Sequence, residues 1–274
     1  MKILLTGASG VIGKSLLRML SNHAELIDAT FYKNSFEFIS NDCHVNIIPY
    51  SSIINNNEKG KYDQIWHFAT YGQPARFIDS WPDVVRLNVT DIQYLISLLK
   101  PDGHFFYAST SEMYGNTSST ELSIPASNPN SKRAVYTESK RLGEAILSTA
   151  LPNQSTFFRI CLAYSPDFMV GDRRVLYELV IKALRENKIC LLDSGSSNRQ
   201  YIYIDDAIKM METIAFNIHK EPLDKNGPWN ISNPSHITIY ELALAIGSLL
   251  NKKVIKGPEG SNPHHALSTI DIYP

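Results

Sequence analysis

Met1-Lys2-Ile3-Leu4-Leu5-Thr6-Gly7-Ala8-Ser9-Gly10-Val11-Ile12-Gly13 opens the chain. Residues 3–5 form a short apolar run, which reads as a buried strand of a parallel sheet. Gly7, Gly10 and Gly13 follow directly, and Val11, Ile12, Leu16, Leu17 and Leu20 then fall at helical spacing. Glycine is needed where a chain turns tightly, where backbone must come close to a pyrophosphate, and where a helix packs closely on a strand. The start of the helix adds N–H groups and a partial positive charge that suit phosphate oxygens. Strand, glycines and helix in that order make Gly7, Ser9, Gly10, Val11, Ile12 and Gly13 candidates for holding a dinucleotide.

Beyond this opening, apolar strand-like runs alternate with helical patterns. Strands are expected at 3–5, 26–31, 45–48, 64–68, 104–108 and 155–159, and helices at 11–20, 81–99, 134–150, 174–186, 204–218 and 238–249. Residues 55–61 form a polar loop with no assigned function. Such alternation implies an α/β fold, a mostly parallel sheet covered on both faces with its ligand at the strands' carboxyl ends. The pattern becomes less regular from about residue 160. A dinucleotide-binding domain is therefore expected over 1–160 and a smaller, mostly substrate-binding lobe over 161–274, interleaved with the sheet.

Composition limits the function classes. With 274 residues there is room for one large domain, or one domain and a small lobe. The formal net charge of −1 and the lack of a long basic run argue against nucleic acid or an anionic membrane as partner. No apolar stretch is long enough to span a bilayer, and a strand starting at residue 2 leaves no signal-peptide pattern, so a cytoplasmic protein is expected. Cys43, Cys161 and Cys190 are scattered without metal-ligand spacing and read as reduced, mostly buried thiols. His264-His265 likewise has no partner at metal-binding spacing, so no metal site is expected.

Two further segments belong together: Ser109-Thr110-Ser111-Glu112-Met113-Tyr114-Gly115 and Tyr136-Thr137-Glu138-Ser139-Lys140. Tyr136 and Lys140 are four residues apart, so on a helix they share a face one turn apart. An ammonium beside a phenol favours the phenolate and is expected to lower the Tyr136 pKa toward neutrality. Such a phenol can take a proton from a sugar hydroxyl while hydride leaves the same carbon.

These segments resemble the extended short-chain dehydrogenase/reductases that act on nucleotide sugars, the NAD-dependent epimerase/dehydratase family. Within it the UDP-glucuronate decarboxylases (UDP-xylose synthases) are most similar. The resemblance also rests on Trp66-His67-Phe68-Ala69-Thr70 with Pro74, Pro82 and Asn88, on Arg133-Ala134-Val135 before Tyr136, and on Arg174-Val175. Gly195-Ser196-Ser197-Asn198-Arg199-Gln200-Tyr201 and Trp229-Asn230-Ile231-Ser232-Asn233-Pro234 complete it. It implies a Rossmann-type doubly wound parallel sheet with a small C-terminal substrate lobe, bound NAD, a nucleotide-sugar substrate, and a homodimer joined through the helices that follow Trp81 and Ala134. Tyr136 would be the base at the sugar 4-hydroxyl, Lys140 would also reach the nicotinamide ribose, and Thr110 would share the reacting hydroxyl's hydrogen bond. Ala69 would line the cofactor. Ser111 and Glu112 would position the ring or handle the C5 proton, and Arg174 and Arg199 would meet the diphosphate or the uronate carboxylate. The reaction implied is oxidation at C4, loss of carbon dioxide from the β-keto acid and re-reduction of C4.

Other readings stand beside these. Glu112 has Arg133 within reach as an ion-pair partner, Arg174 and Arg199 have surface readings, Asn88 suits tying helix to neighbours, and His67 suits packing. Thr30-Phe31-Tyr32-Lys33-Asn34 lacks the acid that usually ends the second strand and holds the adenosine ribose; Lys33 suits a 2′-phosphate, so NADP stands beside NAD. Leu162 replaces an Asn that usually contacts the nucleotide-sugar, and the sequence stops at Asp271-Ile272-Tyr273-Pro274, short of the usual C-terminal helical segment. A nucleotide-sugar 4-epimerase or 4,6-dehydratase shares Thr110, Tyr136 and Lys140, although Ser111 stands where the dehydratases carry Asp. An NADPH-linked keto-sugar reductase is supported by Lys33. A non-catalytic dinucleotide sensor would be free to lose Tyr136, which this chain keeps.

Overall fold

The structure is a computed structural model and describes residues 1–54, 58–114, 128–167, 171–217 and 227–258. Gly115, Ile218, His264, His265, residues 55–57 of the polar loop and the terminal stretch 271–274 lie outside the described residues. The first half of the chain runs β1 (Lys2–Thr6), α1 (Val11–Leu20), β2 (Leu26–Phe31), β3 (His44–Pro49), α2 (Tyr50–Ile54), β4 (Tyr62–His67), α3 (Pro74–Asp79), α4 (Trp81–Val85), a π-helical turn (Arg86–Thr90), α5 (Asp91–Leu98), β5 (Leu99–Thr110), a 3₁₀ turn (Ser111–Tyr114), α6 (Ala134–Ala150) and β6 (Ser155–Ile160). Beyond it come β7 (Leu162–Tyr164), α7 (Val175–Arg185), β8 (Lys188–Cys190), β9 (Asn198–Tyr203), α8 (Ile204–Asn217), β10 (Trp229–Ile231), β11 (His236–Thr238), α9 (Ile239–Leu250) and β12 (Lys253–Ile255).

Among the described residues the main sheet has seven strands in the order β3-β2-β1-β4-β5-β6-β10. Every pairing in it is parallel. The order reverses between β1 and β4, and that switch point places a crevice at the strands' carboxyl ends. This is the Rossmann-type doubly wound sheet. Side chains alternate across it: Ile3 and Leu5 pack on one face with Phe106, Phe158, Leu16 and Leu20 of α1, and Met211 of α8. Leu4, Phe105, Tyr107 and Phe157 pack on the other with Leu95 of α5 and Leu147 of α6. Two-sided burial explains why the strands read as near-continuous apolar runs.

The seventh strand, β10, comes from beyond residue 160 and pairs with β6. The rest of the second half forms a three-stranded sheet β11-β9-β7 and a two-stranded pair β12-β8. Leu179 and Ala183 of α7, Ile189, and Leu242 and Ile246 of α9 make a separate small core there. Thr238 and Glu241 close a capping box at the start of α9.

The one long helix expected at 81–99 is instead α4, the π turn and α5 in succession. The widened turn directs the Asn88 carbonyl to the Tyr107 hydroxyl at 3.4 Å. It also lets α6 pass close by, since a Cβ on Gly143 would lie 2.7 Å from that same carbonyl oxygen. A single inserted residue leaves the apolar spacing nearly unchanged, so only the packing shows it.

Close approach likewise fixes the opening glycines. A Cβ on Gly13 would sit 2.1 Å from the Gly7 carbonyl oxygen, whereas one on Gly10 would sit 3.3 Å from it. Gly13→Ala is therefore expected to lower stability by about 1–3 kcal/mol, the usual cost of overpacking. Gly10→Ala should cost clearly less, with urea midpoints of the two variants as the comparison.

Candidate active site

The loop after β1 is braced by its neighbours. Gly7 has φ +75°, and its N–H donates to the Thr30 hydroxyl at 3.2 Å, while the Ala8 N–H donates to the Thr30 carbonyl at 3.0 Å. A side chain on Gly7 would strike the Ala69 nitrogen at 2.7 Å, so Ala69 lines the same loop from β4. In α1 the Lys14 N–H bonds the Gly10 carbonyl at 2.9 Å, and Gly10 supplies no side-chain cap. Helix geometry then leaves the N–H groups of Val11, Ile12 and Gly13 without an intrahelical acceptor. Backbone donors at a helix start, with no side chain in front of them, fit a pyrophosphate. At the adenosine end Tyr32, Lys33 and Asn34 are exposed, and the Lys33 ammonium lies 5.5 Å from the centre of the Tyr32 ring.

One hydroxyl joins the ends of β1 and β4. The Thr6 Oγ1 accepts from the Phe68 and Ala69 N–H groups at 3.1 and 3.2 Å and stands 2.7 Å from His67 Nδ1. His67 Nε2 lies 2.8 Å from the Leu87 carbonyl, which can only accept. The proton is thus assigned to Nε2, and Nδ1 accepts from Thr6. Burial, with the Lys140 charge adding to it, pushes the imidazole pKa down to about 3. His67 is a neutral strut rather than an acid or base.

The end of β5 gathers the candidate site residues. Thr110 and Tyr136 are both buried, and the Thr110 hydroxyl lies close enough to the Tyr136 phenol to favour its ionised form. Phe77 of α3 stacks on the Tyr136 ring with centroids 4.5 Å apart and planes 5° from parallel. The Glu112 N–H donates to Thr110 Oγ1 at 3.2 Å, so the 3₁₀ turn starts on the last hydroxyl of β5. Ser111 lies in that turn, partly buried. Arg133 grips the Glu112 carboxylate from two sides, through Nη2 to Oε1 and through Nε to Oε2 at 3.3 Å. Glu112 therefore takes the ion-pair reading.

The expectation that the Tyr136 pKa falls toward neutrality is corrected. Burial pushes the phenol well above its ordinary value and the nearby Glu112 charge adds to that, with the Thr110 hydrogen bond and Arg133 opposing. Lys140 is buried beneath the same helix face. Its ammonium donates to the Ala108 carbonyl at 2.6 Å and lies 4.5 Å from the centre of the Tyr107 ring. Burial pulls its pKa down to about 7, against the pull of Glu144.

The two remaining arginines differ. Arg174 is held by Asp172, with contacts of 2.7–3.1 Å from Nε and Nη2, and donates to the Ala163 carbonyl at 3.0 Å. Its fork of donors is spent inside the lobe, and Asp172, two residues earlier, was the available sequence signal. Arg199 on β9 feels the charges of Arg133, Glu112 and Asp193, so it stands between the β5 site and the lobe. It also lines a cleft of 290 Å³ with Arg173, Lys182, Glu178 and Asp193. Asn88 is fully buried and donates to the Ser139 hydroxyl at 3.0 Å, a tie between the π turn and α6.

A buried chain of hydrogen bonds runs beneath the site. The Ser109 hydroxyl donates to Glu144 at 2.5 Å, Arg159 donates to both Glu144 oxygens at 3.1 and 2.7 Å, and Arg159 also donates to the Tyr114 hydroxyl at 3.0 Å. Tyr114 in turn donates to Asn230 at 2.7 Å. Its signal was the i, i+4, i+8 series Tyr136, Lys140, Glu144 on one face of α6. Among the described residues no cluster of His, Cys, Asp and Glu is placed to hold a metal ion, and no helix is long and apolar enough to cross a membrane.

Sheet order and glycine loop together define a Rossmann-type fold whose crevice suits a dinucleotide. The chain belongs to the NAD dependent epimerase/dehydratase family, whose model matches residues 3–232. It is similar to UDP-glucuronic acid decarboxylase 1 of Arabidopsis thaliana, 24% identical over 280 residues, and the match covers 96% of this chain but 62% of that protein. Its fold is that of an epimerase of Methanothermobacter thermautotrophicus, with a TM-score of 0.78, 17% identity, and coverage of 98% and 84% of the two chains. It is also that of the dTDP-glucose 4,6-dehydratase of Streptomyces venezuelae, solved with NAD bound, at TM-score 0.74, 19% identity, and coverage of 99% and 88%.

The neutral His67 has a stability consequence. Its pKa is depressed from 6.5 to about 3 on folding, so the unfolded chain binds a proton the native state refuses. Its contribution is complete above pH 6.5 and is lost as pH falls toward 3. Between pH 7 and pH 5 this amounts to about 2 kcal/mol. Urea midpoints at the two pH values should show the fall, and His67→Gln should flatten it; an unchanged slope in that variant would assign the acid sensitivity elsewhere.

Proposed function

We propose that this chain is a nucleotide-sugar-modifying enzyme that oxidises a UDP-glucuronate-like substrate at C4, releases its carboxylate as carbon dioxide and re-reduces C4. The carrying observation is the constellation at the end of β5, in which Glu112, bonded to Thr110 through its N–H and to Arg133 through its carboxylate, stands by the buried Thr110 and Tyr136. The decarboxylases among the relatives favour this reading over the other reactions of the family.

A nicotinamide cofactor, once bound, supplies the acceptor for the C4 hydride and its later donor. Everything else falls to the chain. The backbone N–H groups of Val11, Ile12 and Gly13 hold the cofactor's pyrophosphate, and the uncharged Thr6–His67 strut keeps Ala69 and Gly7 in place beside it. Tyr136 takes the proton of the 4-hydroxyl, with Thr110 sharing that hydrogen bond. Since burial and Glu112 favour the neutral phenol, its ionisation relies on the Arg133 charge, with Lys140 one turn further along α6. Oxidation at C4 leaves a β-keto acid, which loses carbon dioxide by heterolysis of the C5–C6 bond. The enolate then takes a proton at C5, a step for which Glu112, Ser111 and a water molecule are the nearby groups. Arg199 faces this site and the lobe cleft, which suits the diphosphate end of the substrate. Arg174 serves by fixing the lobe through Asp172.

NAD is the proposed cofactor, with NADP as the outcome Lys33 would favour. Homodimerisation through α4 and α6 is proposed as well, supported by Trp81 at 56% and Leu142 at 49% exposure on those helices. Trp81→Glu is expected to shift the protein toward monomer in sedimentation, with cofactor binding retained.

The main test is mass spectrometry of UDP-glucuronate incubated with the protein and catalytic NAD or NADP in parallel. Loss of carbon dioxide without net reduction of cofactor is expected, and Tyr136→Phe should abolish it while cofactor binding persists. An isomer of unchanged mass would establish epimerisation instead. Glu112→Gln should spare C4 oxidation more than carbon dioxide release; equal loss of both would remove Glu112 from the C5–C6 chemistry.

A further inference from the structure

Lys140 is a fully buried cation whose surroundings offer few counter-charges. It lies one helical turn from both Tyr136 and Glu144 along α6, meets the Ala108 carbonyl and the Tyr107 ring of β5, and its charge acts on the neutral His67 of β4. Among the described residues Glu144 is the carboxylate whose charge acts on Lys140, and it lies one turn beyond Lys140 on the same helix face. It is also shared, because both its oxygens accept from Arg159 and one accepts from Ser109. Ser109 directly follows Ala108, whose carbonyl takes the Lys140 ammonium. Two consecutive residues of β5 therefore hold the cation and the carboxylate one helical turn apart.

We propose that Glu144 is a positioning residue that keeps Lys140 in its ammonium form beside the base, and that Arg159 limits this by drawing on the same carboxylate. The buried set Lys140, Arg159 and Glu144 carries one excess positive charge. That excess compensates the negative charge that develops on Tyr136 when it gives up its proton. Removing Glu144 deprives Lys140 of its counter-charge, and burial then discharges it. Removing Arg159 takes away the competing cation and leaves Glu144 to Lys140 and the Ser109 hydroxyl. The pull of burial on Lys140 and the opposing pull of Glu144 agree with this arrangement.

The value of the charge to turnover rests on the reaction proposed above; the ionisation itself does not, and it can be read with no substrate or cofactor present. The Lys140 side chain is followed by NMR in lysine-labelled protein, with Lys140→Met giving the assignment, across pH 5 to 11. Glu144→Gln is expected to lower the Lys140 midpoint by about one unit or more, and Arg159→Met to raise it by a similar amount. Opposite shifts support the proposal, because a purely structural role would not move the midpoint in two directions. Unmoved midpoints, or shifts of the same sign in both variants, overturn it. Should Glu144→Gln fail to fold, Arg159→Met decides alone: a rise supports the proposal, and no change or a fall overturns it. If the shifts appear but the protein does not decarboxylate a nucleotide uronate, the reading of the reaction fails and the ionic arrangement stands.

Discussion

The grip of β5 on α6 sets the geometry of everything at the sheet's carboxyl edge. Ala108 holds Lys140 and Ser109 holds Glu144, so the helix that carries Tyr136 can neither slide nor rotate against the strand that carries Thr110. Gly143, lying between the two gripped residues, allows the helix to sit this close, since any Cβ there would meet the Tyr107 hydroxyl at 2.5 Å. Burying two cations and one anion at such a junction is costly, and ion pairs in this setting contribute little net stability. Their contribution is directional: each charged hydrogen bond has one geometry, and a misplaced helix would leave a charge unpaired at a cost of about 3–5 kcal/mol. Placement of the base is thus coupled to completion of the polar network below it.

The network also extends sideways. Through Arg159 and Tyr114 it reaches Asn230 on the seventh strand, and Tyr114 is the last residue of the turn that carries Ser111 and Glu112. The turn is therefore pinned at its start by Thr110 and at its end by Tyr114. On the other side of the switch point the Thr6–His67 strut does comparable work without charge.

Sequence disclosed the fold through periodicity, and α1 and α6 fall at the expected residues because both have clear apolar spacing and definite ends. The π turn was invisible because its extra residue hardly disturbs that spacing. The short strands β7 to β12 and helices α2 and α3 were invisible because a few residues carry no period. At the site, spacing put Tyr136 and Lys140 on one face but said nothing of burial, which decides their ionisation. Glu144–Arg159 and Thr6–His67 join residues distant in sequence, and only folding shows that they touch. Arg174 looked available for a ligand because its partner Asp172 had not been weighed.

The seventh strand has a bearing on how the chain comes off the ribosome. Trp229–Ile231 covers the outer edge of β6, and α8 covers one face of the sheet beside α1, yet both are made after the lobe strands β7 to β9 and helix α7. Until residue 217 emerges the nearly complete parallel sheet has an uncovered apolar flank, and until residue 231 a bare hydrogen-bonding edge. Nascent chains are consequently at their most adhesive late in synthesis, and chaperone demand would be concentrated in the passage from β6 to β10.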